Sequence, residues 1–475
     1  MTFTRYFLGS VAGAAFLATS VLAQDRAPEN LLPPEPEKVT EPLPDFSRNQ
    51  TPPKQERQSV DEAFGDIRTV QGEVVQPVPS LVGDWTLATA QKLLAFIPSV
   101  AEEGLRPADY PVDALRAAIA AGEGEELNRI ASETFVWLVE DLRDGRTPAE
   151  ARKQWFVVDP DPDTNPTHVL LAEALASGDI AGILRGLNPV APDYARLKEE
   201  LALTSDPARA KLIRANMDRW RWLGQDLGRQ YLLTNVPEYQ LRLTVNNRII
   251  KNYRVVVGKP GRTATPQLAE MVEAVIFNPT WTVPQSIVKG EGLGAKVLGN
   301  PAWAKAAGYK GTKGADGVVY VVQQPGPNNS LGLMKLDMPN EHAIFLHDTP
   351  ARHLFNQDNR ALSHGCIRVQ GARELAITMS MLGNAQTKDD LPLIQQEVSE
   401  ITASGVYTRY PMAKQWPVYI TYFTMGVDVD GNLTSFADIY GRDAPVLAAL
   451  DAPRQSNRAR KSSEEVVEII DDLQT

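Results

Sequence analysis

The chain has 475 residues, 43% hydrophobic and 23% charged, with a formal net charge of −11 at pH 7. That length allows two or three domains with sizeable cores, and the composition is ordinary for a globular protein. The acidic balance excludes wholesale binding to nucleic acid or to an anionic membrane surface.

At the N-terminus, Arg5 precedes an apolar run over residues 11–23 that closes on Val21-Leu22-Ala23. A basic start, a short apolar stretch and small residues near its end are the layout of a cleavable secretory signal, assigned to residues 1–23. An uncleaved anchor is the alternative, but the run is short for a span and lacks a basic flank after it. No cysteine follows the cleavage point to carry a lipid. No later stretch is long and apolar enough to cross a bilayer. The mature protein is therefore expected to be exported and soluble, with no integral span.

Residues 24–80 contain ten prolines among interleaved charges and almost no aromatics. Such a segment buries too little apolar surface to offset its ordering entropy, and it is read as a disordered linker. Residues 81–230 turn helical. Stretches at 108–120 and 127–142 are rich in Ala, Leu and Glu with apolar residues three and four apart. Pro207 suits a first helical turn, and Leu212, Ala215, Met217, Trp220 and Leu223 follow on one side. His168, after Asn165-Pro166-Thr167, reads as a turn or surface residue. A supporting helical domain is the expectation for this region.

Near Tyr231 the period shortens to that of strands. Residues 231–236, 239–245 and 248–258 are β-branched and aromatic, with Asn246-Asn247 a hairpin turn between the last two. Further strands are expected at 271–277, 318–323, 343–346 and 418–424, and helices at 372–382 and 391–401. Asp428 to Gly431 makes a turn and lacks the remaining spacing of a calcium loop. The mainly β region is set at 231–449, and residues 450–475 are read as a flexible charged tail.

The chemistry concentrates in one place. Cys366 is the single cysteine, and four of the five histidines (His342, His347, His353 and His364) lie in the 25 residues that end on it. In an exported protein a lone cysteine has no internal disulfide partner. A free thiol titrates near 8.5 and needs an activating neighbour to act as a nucleophile near neutral pH. His347 ends an apolar run and can project over a facing turn, whereas His364 is two residues from Cys366, a spacing at which side chains rarely meet. His347 is the favoured base; His342 and His353 are read as surface or supporting residues. Gly365 permits a tight turn whose amides can stabilise an oxyanion, and Arg368 can hold a carboxylate. Zinc held by His342, His347, His364 and Cys366 is an alternative, although the separations match no usual zinc pattern.

Ser363-His364-Gly365-Cys366-Ile367-Arg368-Val369, with His347 upstream, resembles the active-site signature of the YkuD-type L,D-transpeptidases. Asn278-Pro279-Thr280-Trp281-Thr282-Val283-Pro284, the stretch 325–332, Met338-Pro339-Asn340, His347-Asp348-Thr349-Pro350 and Arg219-Trp220-Arg221-Trp222-Leu223 resemble the large periplasmic YcbB-like members. The resemblance covers about residues 81–442. It implies an α+β multidomain protein: a helical scaffold domain, then a mostly β catalytic domain carrying an inserted cap at 285–317. That segment is rich in glycine and lysine, and a mobile lid over the donor groove is expected there, with an ordinary long surface loop as the alternative.

By motif, the resemblance makes Cys366 the nucleophile and His347 the base, with the backbone carbonyl of Asp348 orienting the imidazole. Gly365 and Cys366 would contribute to the oxyanion hole, and Arg368, His364, Ser363, Trp281 and Asp348 would lie at the substrate. The implied reaction releases D-alanine from a tetrapeptide stem and leaves a 3→3 cross-link in peptidoglycan, in the periplasm or cell envelope, without metal or organic cofactor. Carbapenem acylation and contact with other wall synthases are further implications. An L,D-carboxypeptidase needs the same thiol and base and stays open, as does a non-catalytic wall-binding scaffold. Larger relatives place a peptidoglycan-binding module before the catalytic domain. Here residues 194–203 run almost directly into the helix of Trp220, which leaves no room for one.

Overall fold

In a computed structural model, residues 81–454 are described. The expected signal, the linker and the tail beyond residue 454 lie outside the described residues.

The first domain is helical. It comprises α1 (Leu87–Phe96), α2 (Val112–Ala121), α3 (Glu125–Arg143), α4 (Thr167–Ser177) and α5 (Ile180–Arg185). Thr86 and Thr89 form a reciprocal capping box at the start of α1, satisfying amides that the helix cannot. Helix α3 places Glu125 and Glu126 in its first turn and Arg143 in its last, each complementing the helix dipole. Its Ile130, Ala131, Phe135, Leu138 and Leu142 recur at helical spacing and face a shared core with Leu93, Leu115 and Leu170. Burying a side chain such as Phe135 contributes roughly 2–3 kcal/mol, so Phe135→Ala is the single change that would most loosen this core. His168 is exposed, as expected, but on the first turn of α4.

Helices α6 (Pro192–Leu203) and α7 (Pro207–Trp220) are joined by residues 204–206 alone. Pro207 occupies the first turn of α7 and the Asp206 carboxylate caps it. The Arg219-Trp220-Arg221-Trp222 stretch at its end is wholly buried. Trp220 stacks on Phe423 at 4.5 Å, while Arg221 donates to the Glu103 carbonyl and to the Tyr194 hydroxyl. Arg219 pairs with Asp443 at 2.7 Å. Arg219 and Trp220 fasten scaffold to sheet, while the buried Arg221 charge is met within the scaffold, so both cations at core positions have polar partners.

The catalytic region is a twisted sheet that returns on itself. Its strands are β1 (Tyr231–Asn235), β2 (Gln240–Val245), β3 (Arg248–Gly258), β4 (Leu268–Phe277), β8 (Met334–Asp337), β9 (Leu346–His347), β10 (Ala361–Ser363), β11 (Ile367–Val369) and β12 (Thr408–Thr421). The order is β10-β3-β11-β9-β8-β4-β12-β1-β2, and β3 also pairs with β2, closing the ring. Asn246 and Asn247 both have positive φ, as a two-residue hairpin turn requires. Helices α11 (Ala372–Asn384) and α12 (Asp390–Ser404) complete the core through Leu375, Met379, Ile394 and Val398. The expected strand at 343–346 shrinks to β9 because Ala343 has φ of +51° and the Asn340 side chain bonds both the amide and the carbonyl of Ile344.

The insertion is a folded unit and not the ordinary long surface loop of the alternative reading. Helices α8 (Gln285–Gly290), α9 (Leu293–Gly299) and α10 (Pro301–Ala306) cover a three-stranded sheet of β5 (Trp281–Thr282), β7 (Val319–Gln323) and β6 (Tyr309–Lys313). It has its own core of Val283, Val288, Leu293, Val297, Ala304 and Val321. A Cβ on Gly311 would come within 2.7 Å of Val297, so this glycine serves close helix–strand approach, not looseness.

The C-terminal boundary also differs from expectation. A small hairpin of β13 (Met425–Val427) and β14 (Leu433–Ser435) precedes α13 (Asp443–Asp451), which buries Val446 and Leu450 against Ala215 and Trp222. Arg454 is buried, pairs with Asp141 and Glu140 of α3 and covers the Trp137 ring. Residues 450–454 are thus tied to the scaffold, because the Arg454 charge meets the buried Asp141 instead of water.

Candidate functional site

Alternation along three short strands separates core from chemistry. Met334 and Leu336 of β8, Leu346 of β9, and Ile367 and Val369 of β11 belong to the barrel core. Lys335, His347 and Arg368 therefore project from the other face. Register puts them in one row, with His347 paired to Arg368 on one side and to Lys335 on the other. Cys366 lies in the bend just before β11, two residues ahead of Arg368, and the next residue's amide, Ile367, donates to the Phe345 carbonyl at 2.9 Å.

His347 is 4% exposed, and its Nδ1 lies 2.5 Å from the Asp348 carbonyl. A carbonyl only accepts, so Nδ1 carries the proton and Nε2 is left with the basic lone pair. Burial pushes this histidine down to about 3, aided by the neighbouring Arg368 and Lys335 cations and opposed by the Asp348 carbonyl. The imidazole is neutral at any ordinary pH.

Cys366 is half-buried, and its thiol donates to the Ala343 carbonyl at 3.5 Å. Burial pushes the thiol up, while the Phe345 amide and the Lys335 and Arg368 cations pull it back. At rest a neutral thiol and a neutral base share the site, so the proton must move as sulfur attacks. Arg368 is held below its usual range by burial and raised by Cys366, and its Nε has no hydrogen-bond partner.

The turn before Cys366 is clipped from within. Ser363 Oγ donates to the Cys366 carbonyl at 2.7 Å and accepts the Gly365 amide at 3.1 Å. Thr265 Oγ1 donates to the Gly365 carbonyl at 2.7 Å. Gly365 has φ of +122°, a conformation that L side chains rarely adopt. Its amide is thus engaged by Ser363.

The remaining expected residues fall in varied places. Ser363 and Asp348 are 2% and 1% exposed, so neither presents its side chain to a ligand. The Asp348 carboxylate accepts the Leu333 amide at 2.9 Å and pairs with Arg352 at 2.8 Å. It locks β8 to β9 below the imidazole. His364 is exposed beside the thiol. Trp281 sits on β5 and packs against the cap's core. His342 stacks on Phe156 at 4.0 Å and His353 is exposed. The four suggested zinc ligands face different neighbours, and among the described residues no three His, Cys, Asp or Glu side chains gather to hold a metal.

Two contributors escaped the sequence reading. Thr265 braces the Gly365 turn from a loop a hundred residues away. Lys335 lies within Met334-Lys335-Leu336-Asp337-Met338, whose strict alternation is itself a strand signal that would have exposed it.

Residues 229–387 match the family described as the L,D-transpeptidase catalytic domain, YkuD, and residues 84–201 match its scaffold domain. The chain carries a YkuD L,D-transpeptidase catalytic domain behind that scaffold. A Haemophilus influenzae protein, named provisionally as an L,D-transpeptidase, is 32% identical over 234 residues. That alignment spans 46% of this chain and 45% of the relative, less than half of either. An L,D-transpeptidase from Mycobacterium smegmatis is 12% identical, over 42% of this chain and 60% of that one, with a TM-score of 0.20. An Enterococcus faecium L,D-transpeptidase is 13% identical over 40% and 49%, also at 0.20. Overlaps at that score carry no argument about fold or site. The L,D-transpeptidase domain extends past the matched stretch, because β12 supplies the partner of both β1 and β4.

Proposed function

We propose that this protein is a peptidoglycan L,D-transpeptidase that forms 3→3 cross-links through a Cys366 acyl-enzyme. The observation that supports the reading is the tautomer of His347 set by the Asp348 carbonyl, which leaves Nε2 basic on the strand paired with β11, and β11 begins directly after the thiol of Cys366. Cys366 attacks the carbonyl of the third residue of a tetrapeptide stem while its proton passes to Nε2. The oxyanion receives the Cys366 amide and the field of Arg368. Collapse expels D-alanine, whose amine takes the proton back. The side-chain amine of a neighbouring stem then attacks the thioester, gives its proton to Nε2 and releases the thiolate, which is reprotonated. Asp348, Ser363 and Gly365 serve as positioning residues in this scheme.

The cap at 285–317 is read as governing access to the groove, and export to the periplasm is read from residues 1–23. The test is incubation with tetrapeptide muropeptides followed by mass analysis. Dimers linked 3→3 are expected, and Cys366→Ala abolishes them. Tripeptide monomers without dimers would make water the acceptor and the enzyme a carboxypeptidase. Undiminished conversion by Cys366→Ala would end the nucleophile assignment. A carbapenem is expected to acylate Cys366, adding its full mass to the intact protein.

A further inference from the structure

We propose that Lys335 is a positioning residue of this site, a second cation that acts with Arg368 to stabilise negative charge on the Cys366 sulfur. The inference deepens the proposed function and rests on Cys366 being its nucleophile.

The geometry begins with the row. Arg368, His347 and Lys335 are consecutive cross-strand neighbours on β11, β9 and β8, so their side chains leave the same face of the sheet. Lys335 does not stand straight in that row. Its ammonium lies 3.8 Å from the centroid of the Phe345 ring, and Phe345 is the residue alongside Cys366. The cation therefore rests on the face of an aromatic ring whose own backbone carbonyl holds the amide next to Cys366.

An ammonium with only 17% of its side chain exposed ordinarily has a carboxylate in contact. The carboxylate nearest to Lys335 is Asp337, at 4.0 Å, outside hydrogen-bond range. Asp337 is already bound by Arg409 at 2.7 Å, and Arg409 also reaches Glu273. The other charged groups around the thiol do not neutralise Lys335. Asp348, just after β9, is spent on Arg352, Arg368 on β11 is a cation, and His347 on β9 is neutral. His364, in the turn, is exposed. Burial holds the Lys335 ammonium below its usual range, and Cys366 is among the groups that raise it. The same pair seen from sulfur has Lys335 opposing the upward push of burial. A buried cation whose carboxylate neighbour stands at 4.0 Å and is shared with Arg409, beside a sulfur that becomes anionic during attack, is preorganised for that step.

The test follows the thiol without peptidoglycan, so failure of the transfer reaction and failure of this inference are distinguishable. Full-length wild type, Lys335→Met and Lys335→Arg are alkylated with iodoacetamide across pH 5–10, and Cys366 modification is followed by intact mass. Methionine preserves length and apolar contact with Phe345 but removes the charge. Loss of a nearby charge is expected to move the midpoint of alkylation up by about one pH unit, slowing modification near pH 7 by about tenfold. Lys335→Arg is expected to keep the wild-type midpoint. A Lys335→Met protein that melts like wild type and alkylates with the wild-type profile overturns the inference. So does Lys335→Arg behaving like Lys335→Met, because shape and not charge would then be at work. Should Lys335→Met fail to fold, Lys335→Gln takes its place: a raised midpoint supports the role of charge, and an unmoved one refutes it.

Discussion

Acid should weaken this protein through His347 in a way that a single substitution can isolate. Burial and two flanking cations hold the imidazole at about 3 in the folded chain, against 6.5 in water. Above pH 6.5 neither state binds a proton there. Below it the unfolded chain does and the folded chain does not, so stability falls between pH 6.5 and about 3 and stops falling beyond. Each unit corresponds to about 1.4 kcal/mol, giving a full loss of roughly 5 kcal/mol, of which roughly 3 kcal/mol is gone by pH 4. His347→Gln cannot titrate and keeps an amide donor for the Asp348 carbonyl. Urea unfolding of both proteins at pH 7 and pH 4 measures the difference, since every other titration is shared. Wild type should lose about 3 kcal/mol more than the variant on acidification. Equal losses would mean that His347 accepts a proton in the folded state, and the neutral-base reasoning would fail.

Gly332 lies against the carboxylate that supports that base. Its φ is +62°, and an added Cβ would meet the Asp348 carboxyl carbon at 2.4 Å. Gly332→Ala should cost about 2–3 kcal/mol in urea and slow muropeptide turnover, whereas Gly317→Ala, with open space around it, should cost about 1 kcal/mol or less and leave turnover unchanged. Equal effects of the two would show that backbone conformation, and not the Asp348 contact, is responsible. Arg454→Met leaves the wholly buried Asp141 without its cation and should destabilise the scaffold by about 3 kcal/mol, read as a lower urea midpoint. An unshifted midpoint would return residues 450–454 to the status of a loose end.

What could be read from the chain was what is local. The period of 127–142 gave a helix, and Asn246-Asn247 gave its turn, because each depends on residues a few positions apart. The thiol and the base stood out for their rarity. The support around them did not, since Thr265, Lys335 and Asp348 act through pairings fixed only when distant strands meet. Ser363 and Asp348 sat in the right motif, yet both are spent on internal hydrogen bonds that no pattern of types reveals. The ordinary-loop alternative for the cap failed for a different reason. Its glycines suggest freedom when counted along the chain, but Gly311 is there because Val297 presses on it. Charge misled at the other end, where Arg454 looks like a solvated tail until Trp137 and Asp141 are brought beneath it.

That last contact has a bearing on how the protein comes into being. The Gly83 amide bonds Ser132 of α3, and Arg454 bonds Asp141 and Glu140 of the same helix. One helix thus receives both ends of the described chain, with the whole catalytic sheet strung between. Arg106 likewise donates to the carbonyls of Asp451 and Ala452, some 345 positions away. Contacts of such long range form slowly, because the intervening loop must be closed before they are gained. The scaffold, although it precedes the enzyme in sequence, cannot be sealed until the last described residues have emerged and returned. A chain cut short after α12 would leave Asp141 and the Trp222 pocket open, so the scaffold reports on whether the enzyme behind it was finished.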